Sequence, residues 1–234
     1  MNSSIKTFIV AGASSGIGLA LAKRLLEAGH LVHGVSRTEG PLKDHQGYTH
    51  HAIDLLQEHS LPVIGGPVQG LAFCPGSITL KPVERITTAD IDRDFTLNAK
   101  SAFLFVRQYL PQLKESGSAS VVLFSTVAVQ TGMPFHTSVA MAKGALEGLS
   151  RALAAELAPA IRVNTIAPSL TDTPLASGLL NTEAKVEAAK QRHPLRTVGS
   201  ADEHASLAYY LLTESNWITG QVIGVNGGLG SIIK

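Results

Sequence analysis

Residues 10–18 read VAGASSGIG, with glycines at 12, 16 and 18 and serines at 14 and 15. The apolar run TFIVAG (7–12) leads into this stretch and a helical pattern at 16–28 leads out of it. Glycines at such a turn let the backbone approach a pyrophosphate. The helix behind them aims free N–H groups and the positive end of its dipole at the anion. The G-x-x-x-G-x-G spacing is one variation on the dinucleotide fingerprint, so Gly12, Ser14, Ser15, Gly16, Ile17 and Gly18 are expected to hold a dinucleotide. A merely tight turn would need one or two glycines, not three. The next apolar run, LVHGVS (31–36), ends on Ser36 and is followed by Arg37, with no acid at that point. An NAD site usually has Asp or Glu there for the ribose 2′-hydroxyl, whereas an arginine pairs with a 2′-phosphate. NADP(H) is therefore the expected cofactor, held in part by Ser36 and Arg37.

These residues need a scaffold, and the chain alternates accordingly. Runs at 7–12, 31–36, 49–54, 70–76, 119–125, 161–168 and 221–228 read as strands, several of them apolar throughout, as strands buried on both faces must be. Helical patterns lie at 16–28, 90–115, 138–158 and 201–213. This order predicts the α/β class: one domain over 1–234 with a doubly wound parallel sheet of about seven strands flanked by helices. Residues 55–69 must cross between parallel strands but hold two prolines and Gly65-Gly66, so only a short or poorly formed helix is expected. Residues 172–198 form a long insertion, expected to be a substrate lid.

Composition agrees with this class. Hydrophobic residues are 44% and charged residues 16% of the 234, enough apolar side chain for a large core and too little charge for disorder. A net charge of +1 gives no reason to expect nucleic acid or an anionic membrane as partner. The single cysteine, Cys74, excludes an intrachain disulfide. No apolar run is long enough for a signal segment or a membrane span, so a cytoplasmic location is expected.

The motifs AGASSGIG, IDL, FTLNAKSAF, VVLFSTVA, AKGALEGLSRALAAELAP, IRVNTIAPSLTDTP and ITGQVIGVNGG occur in one order along the chain. In this the whole sequence resembles the short-chain dehydrogenase/reductase family. The resemblance implies a single Rossmann-like NADP(H)-binding domain over 1–234 and nicotinamide-dependent oxidation of alcohols or reduction of carbonyls, with a small-molecule substrate and a homo-oligomer, tetramer or dimer. By the same resemblance Asp54 contacts the adenine amino group and Gly76 lets the chain pass the adenosine. Asn98 distorts its helix and anchors a water, and Lys143 binds the nicotinamide ribose. Pro168, Thr171 and Thr173 belong to the segment that holds carboxamide and phosphates. LAFCPG stands where the family has N-N-A-G, so Phe73 and Cys74 are expected to fill core space.

In most of that family the helix carrying the lysine opens Y-x-x-x-K, and the ammonium lowers the phenol's pKa for acid–base work. Here the register is Val139, Ala140, Met141, Ala142, Lys143. The partner serine is also changed, to Thr126, which still offers a hydroxyl. Two readings stay open. In one the chain is a reductase with a non-standard proton donor, for which His136, an imidazole three residues before Val139, is the nearest candidate. In the other it is a catalytically inactive NADPH-binding sensor or scaffold. The catalytic set of the first is Asn98, Thr126, His136 and Lys143. A metal on His45, His50, His51 and His59 is not expected, because adjacent strand histidines face opposite ways.

Overall fold

A computed structural model describes residues 5–57 and 61–232. The seven apolar runs pair into one parallel sheet: β1 (Thr7–Ala11), β2 (Leu31–Ser36), β3 (Tyr48–Ala52), β4 (Gly70–Phe73), β5 (Ala119–Phe124), β6 (Ile161–Pro168) and β9 (Val222–Val225). Their order across the sheet is β3-β2-β1-β4-β5-β6-β9. The central strands β4 and β5 are buried at every position, which is why their sequences show no polar alternation.

The chain starts in the middle of this sheet and winds out to β3. It then returns to place β4 on the other side of β1. Loops leaving β1 and β4 therefore diverge at the carboxyl edge, the usual ligand position in open α/β sheets.

One face is covered by α1 (Gly16–Glu27) and α6 (Ala201–Thr213), whose Leu21, Leu25, Ala205, Ala208 and Leu211 share a core with Phe8 and Val122. The other is covered by α3 (Ser101–Glu115) and α4 (Thr137–Leu157), where Phe73, Phe105 and Tyr109 stack edge to face. Phe73 thus fills core space as expected.

The helix expected over 90–115 is not continuous. It divides into α2 (Thr88–Phe95), a π turn over Thr96–Lys100 and α3. Side chains in and just after the turn add hydrogen bonds to its backbone carbonyls. Asn98 Nδ2 donates to Asp94 O (2.8 Å), and Ser101 Oγ lies 2.7 Å from Thr96 O. The short helix expected within 55–69 is absent among the described residues. Pro62, Pro67 and the glycines between them leave an extended crossover tied to α3 through Gln112, which donates to Ile64 O (3.1 Å).

The insertion 172–198 is a structured excursion. It holds a 3-10 turn (Pro174–Leu179) and α5 (Glu183–Arg192). Its ends are clasped by a two-stranded pair, β7 (Thr171–Asp172) with β8 (Gly199–Ser200). No helix among the described residues is long and apolar enough to cross a membrane.

A candidate active site at the carboxyl ends of the strands

The glycine loop packs as its spacing demands. A Cβ on Gly18 would lie 2.3 Å from Gly12 O, so helix and strand meet backbone to backbone. Ser15 stands before α1 in extended conformation without a capping bond from its side chain. The first-turn N–H groups of Gly16, Ile17 and Gly18 have no intrahelical partner, and these residues open on a cleft of about 950 Å³. Ser14, Ser36, Arg37, Asp54, Gly76 and Thr173 line the same cleft.

Within it Arg37 is exposed and meets no carboxylate among the described residues. Asp54 uses Oδ1 to accept from Leu56 N–H (3.0 Å), which fixes its direction. Ser36 Oγ donates to Thr38 O (2.9 Å), so its hydroxyl serves its own loop. Pro168 and Thr171 lie elsewhere, in the wall of a second cavity. There Thr171 Oγ1 sits 2.7 Å from His204 Nε2 and 2.9 Å from Ser169 O. Burial pushes the His204 imidazole down to about 4.

This second cavity, of about 420 Å³, adjoins the cleft and shares Cys74, Gly76, Ser77 and Thr173 with it. Thr126, His136, Val139 and Lys143 all line it. Lys143 is buried and donates to Phe124 O (2.6 Å) and Pro75 O (3.5 Å). Burial pulls its ammonium down to about 8, against the opposing charge of Asp94. A Cβ on Gly76 would stand 3.4 Å from Lys143 Nζ and 3.5 Å from Asn98 Oδ1, so glycine keeps the space between these atoms open. Asn98 Oδ1 is buried with no partner of its own. Cys74, beside them, has its thiol pushed up to about 12 by burial and stays protonated.

His136 is set by its loop. Phe135 before it has φ 69°, a left-handed conformation costly for a bulky residue, and Phe135 O accepts from Lys81 N (3.1 Å). His136 Nδ1 lies 2.7 Å from Pro134 O. A carbonyl only accepts, so Nδ1 carries a proton and Nε2 is the nitrogen left free. Thr126 Oγ1 accepts from Ala128 N–H (3.3 Å), which leaves its own O–H free to donate. Val139 presents a buried isopropyl group one turn before Lys143.

Sequence reasoning missed Asp94. This fully buried carboxylate accepts from Ser77 Oγ (2.6 Å), Thr79 Oγ1 (2.9 Å) and Ser138 Oγ (2.7 Å). Ser77 also accepts from Asn98 Nδ2 (2.9 Å). The available signal was the Asp94–Asn98 spacing, one helical turn on one face. Of the four histidines weighed for metal, the three described ones do not converge. His50 reaches Ser36 O (3.1 Å), His51 pairs with His33 (3.0 Å), and His45 accepts from Gly47 N (3.1 Å). His59 lies outside the described residues.

An open parallel sheet with a phosphate loop at its switch point and a cavity beside the cleft defines a dinucleotide-dependent enzyme. Residues 50–230 match the family model described as enoyl-(acyl carrier protein) reductase. A tropinone reductase homologue of Arabidopsis thaliana is 34% identical, the match covering 94% of this chain and 91% of that protein. Senescence-associated protein 13 of the same plant is 32% identical, over 95% of this chain and 89% of that one. Aldohexose dehydrogenase of Thermoplasma acidophilum superposes with a TM-score of 0.86 at 25% identity, covering 98% of this chain and 97% of that one. Pseudomonas aeruginosa RhlG, solved as an active-site complex with NADP, gives 0.87 at 27% identity, over 97% and 98%. The chain belongs to the short-chain dehydrogenase/reductase family, oxidoreductases that use nicotinamide cofactors.

Proposed function

We propose that the protein is an NADP(H)-dependent oxidoreductase that interconverts a carbonyl compound and its alcohol, with His136 acting where the family has tyrosine. One observation carries this reading. Thr126, His136 and Lys143 line a single cavity that joins the cofactor cleft at Gly76 and Ser77.

Bound NADPH supplies a hydride to the carbonyl carbon. The chain's own residues do the rest. Arg37 pairs with the 2′-phosphate, and the free N–H groups at the start of α1 receive the pyrophosphate. Lys143 holds the nicotinamide ribose, with Asn98 ordering water beside it. Thr126 O–H donates to the substrate oxygen and holds the carbonyl in place. His136, protonated at both nitrogens, gives its Nε2 proton to the oxygen as negative charge develops there. It keeps Nδ1–H on Pro134 O and regains the lost proton from water at the cavity mouth. The 172–198 insertion covers the cavity with Leu175, Ala176 and Leu179 and excludes bulk water.

Steady-state NADPH oxidation with a panel of aldehydes and ketones tests the reading. His136→Ala is expected to lower kcat about 10²-fold, the usual contribution of a positioned general acid. Arg37→Asp is expected to weaken NADPH far more than NADH. A full rate in His136→Ala moves the proton source to Thr126, Ser138 or water. Tight NADPH binding without any turnover returns the chain to a sensor or scaffold.

A further inference from the structure

The cavity beyond Val139 is walled largely by apolar side chains, among them Leu80, Met133, Leu170 and Leu179. Its far side is α5, which turns Lys185, Ala188, Ala189 and Arg192 toward it. These are positions i, i+3, i+4 and i+7, one face of the helix. Two small side chains leave room, and a cation stands at each end. No Asp or Glu lines the cavity among the described residues. The acids of the same helix sit off this face, and Glu187 is engaged by Gln191 (2.6 Å).

Ordinary helix physics accounts for Arg192, since a cation suits a last turn. It does not account for Lys185. That residue is third in the first turn of α5, where the dipole disfavours positive charge. In α2 and α6 the same position holds Asp90 and Glu203, and each acid completes a capping box. Thr182 caps α5 in the same way, by accepting from Lys185 N (3.3 Å), yet the box is left half made. Lys185 Nζ donates to Gly178 O (3.0 Å) and Asn181 Oδ1 (2.8 Å), both neutral acceptors. They pin the ammonium beside the cavity without neutralising it. Arg192 makes no ion pair among the described residues.

We infer that the substrate is an oxo acid: an apolar carbonyl compound whose carboxylate is received by Lys185 and Arg192 while its carbonyl lies at Thr126 and His136. The carbonyl half of this statement rests on the reductase reading; the carboxylate half rests on α5 alone.

Titration calorimetry of the full-length protein loaded with NADP+ separates the two, using octanoate and octanamide as probes matched in chain and different in charge. Octanoate is expected to bind about tenfold or more tightly than octanamide. Lys185→Gln/Arg192→Gln, which removes both charges and leaves polar side chains in place, is expected to erase that difference and leave octanamide binding unchanged. Equal affinities in the wild type, a difference that survives the double substitution, or no octanoate binding at millimolar concentration would each overturn the inference. So would tighter binding of octyl phosphate than of octanoate. Charge-dependent binding without turnover of any oxo acid upholds the carboxylate half and removes the carbonyl half together with the reductase reading. Equal turnover of a neutral ketone and its oxo-acid counterpart does the reverse.

Discussion

Lys143 and Asp94 are opposite charges buried in one wall of the site, and the balance between them sets when the lysine is charged. Burial favours the neutral amine, while Cys74 and then the Asp94 carboxylate favour the ammonium, with a net result of about 8. The charged form exists below that value, so NADPH affinity is expected to fall as pH rises through about 8. Removing the carboxylate in Asp94→Asn takes away one of the two effects that raise the lysine, and the fall is then expected at lower pH. Fluorescence titration of NADPH across pH reads both, and a midpoint that stays or rises in the variant contradicts the account. Little of this was legible in advance. The glycine loop and Arg37 announce themselves because their chemistry depends on a local motif. Asp94 sits in IDRDF, which reads as the solvated face of an amphipathic helix. Only the fold carries Ser77, Thr79 and Ser138 to it from elsewhere in the chain.

At the scale of elements, the π turn is legible only through the family resemblance, which places a helix distortion at Asn98. Apolar spacing continues through 90–115 without a break, and one extra residue in a helical turn barely disturbs that rhythm. The turn is held by side chains instead. Asn98→Ala leaves Asp94 O buried without its donor and is expected to cost about 1–3 kcal/mol in stability. A lowered urea midpoint with an unchanged slope checks this, and an unchanged midpoint contradicts it. The crossover at 55–69 was half legible, because its prolines and glycines argue against a regular helix. That the insertion would carry a helix was not foreseen, since its mixed polar pattern over 183–192 has no clean apolar stripe. Its cationic face acquires meaning only once the fold sets α5 in the cavity wall.

For the whole molecule, the parallel sheet was legible because strands buried on both faces must be apolar throughout, and helices must then cover both sides. The self-association surface was read less well. Phe105 and Leu146 are consumed by the chain's own core, and Leu149 and Leu153 pack against it. Of Phe103, Phe105, Leu146, Leu149 and Leu153, the apolar residues by which the helical patterns 90–115 and 138–158 predict such a surface, only Phe103 stays exposed, at 41%, joined by Phe95 (45%) and Met141 (48%). We retain the proposal of a homo-oligomer, most simply a tetramer, on this outer face of α2, α3 and α4. Light scattering at micromolar concentration is expected to give a multiple of the chain mass, and a monomer contradicts it. We propose, as the central claim, that the chain performs redox chemistry with Val139 at the position where the family resemblance places a tyrosine. Its most direct test is label transfer from NADPH deuterated at nicotinamide C4, followed by mass spectrometry of the alcohol formed from an oxo acid. The account predicts one deuterium on the former carbonyl carbon in the wild type and a strongly reduced rate in His136→Ala. Tight NADPH binding with no labelled alcohol from any aldehyde, ketone or oxo acid would contradict it.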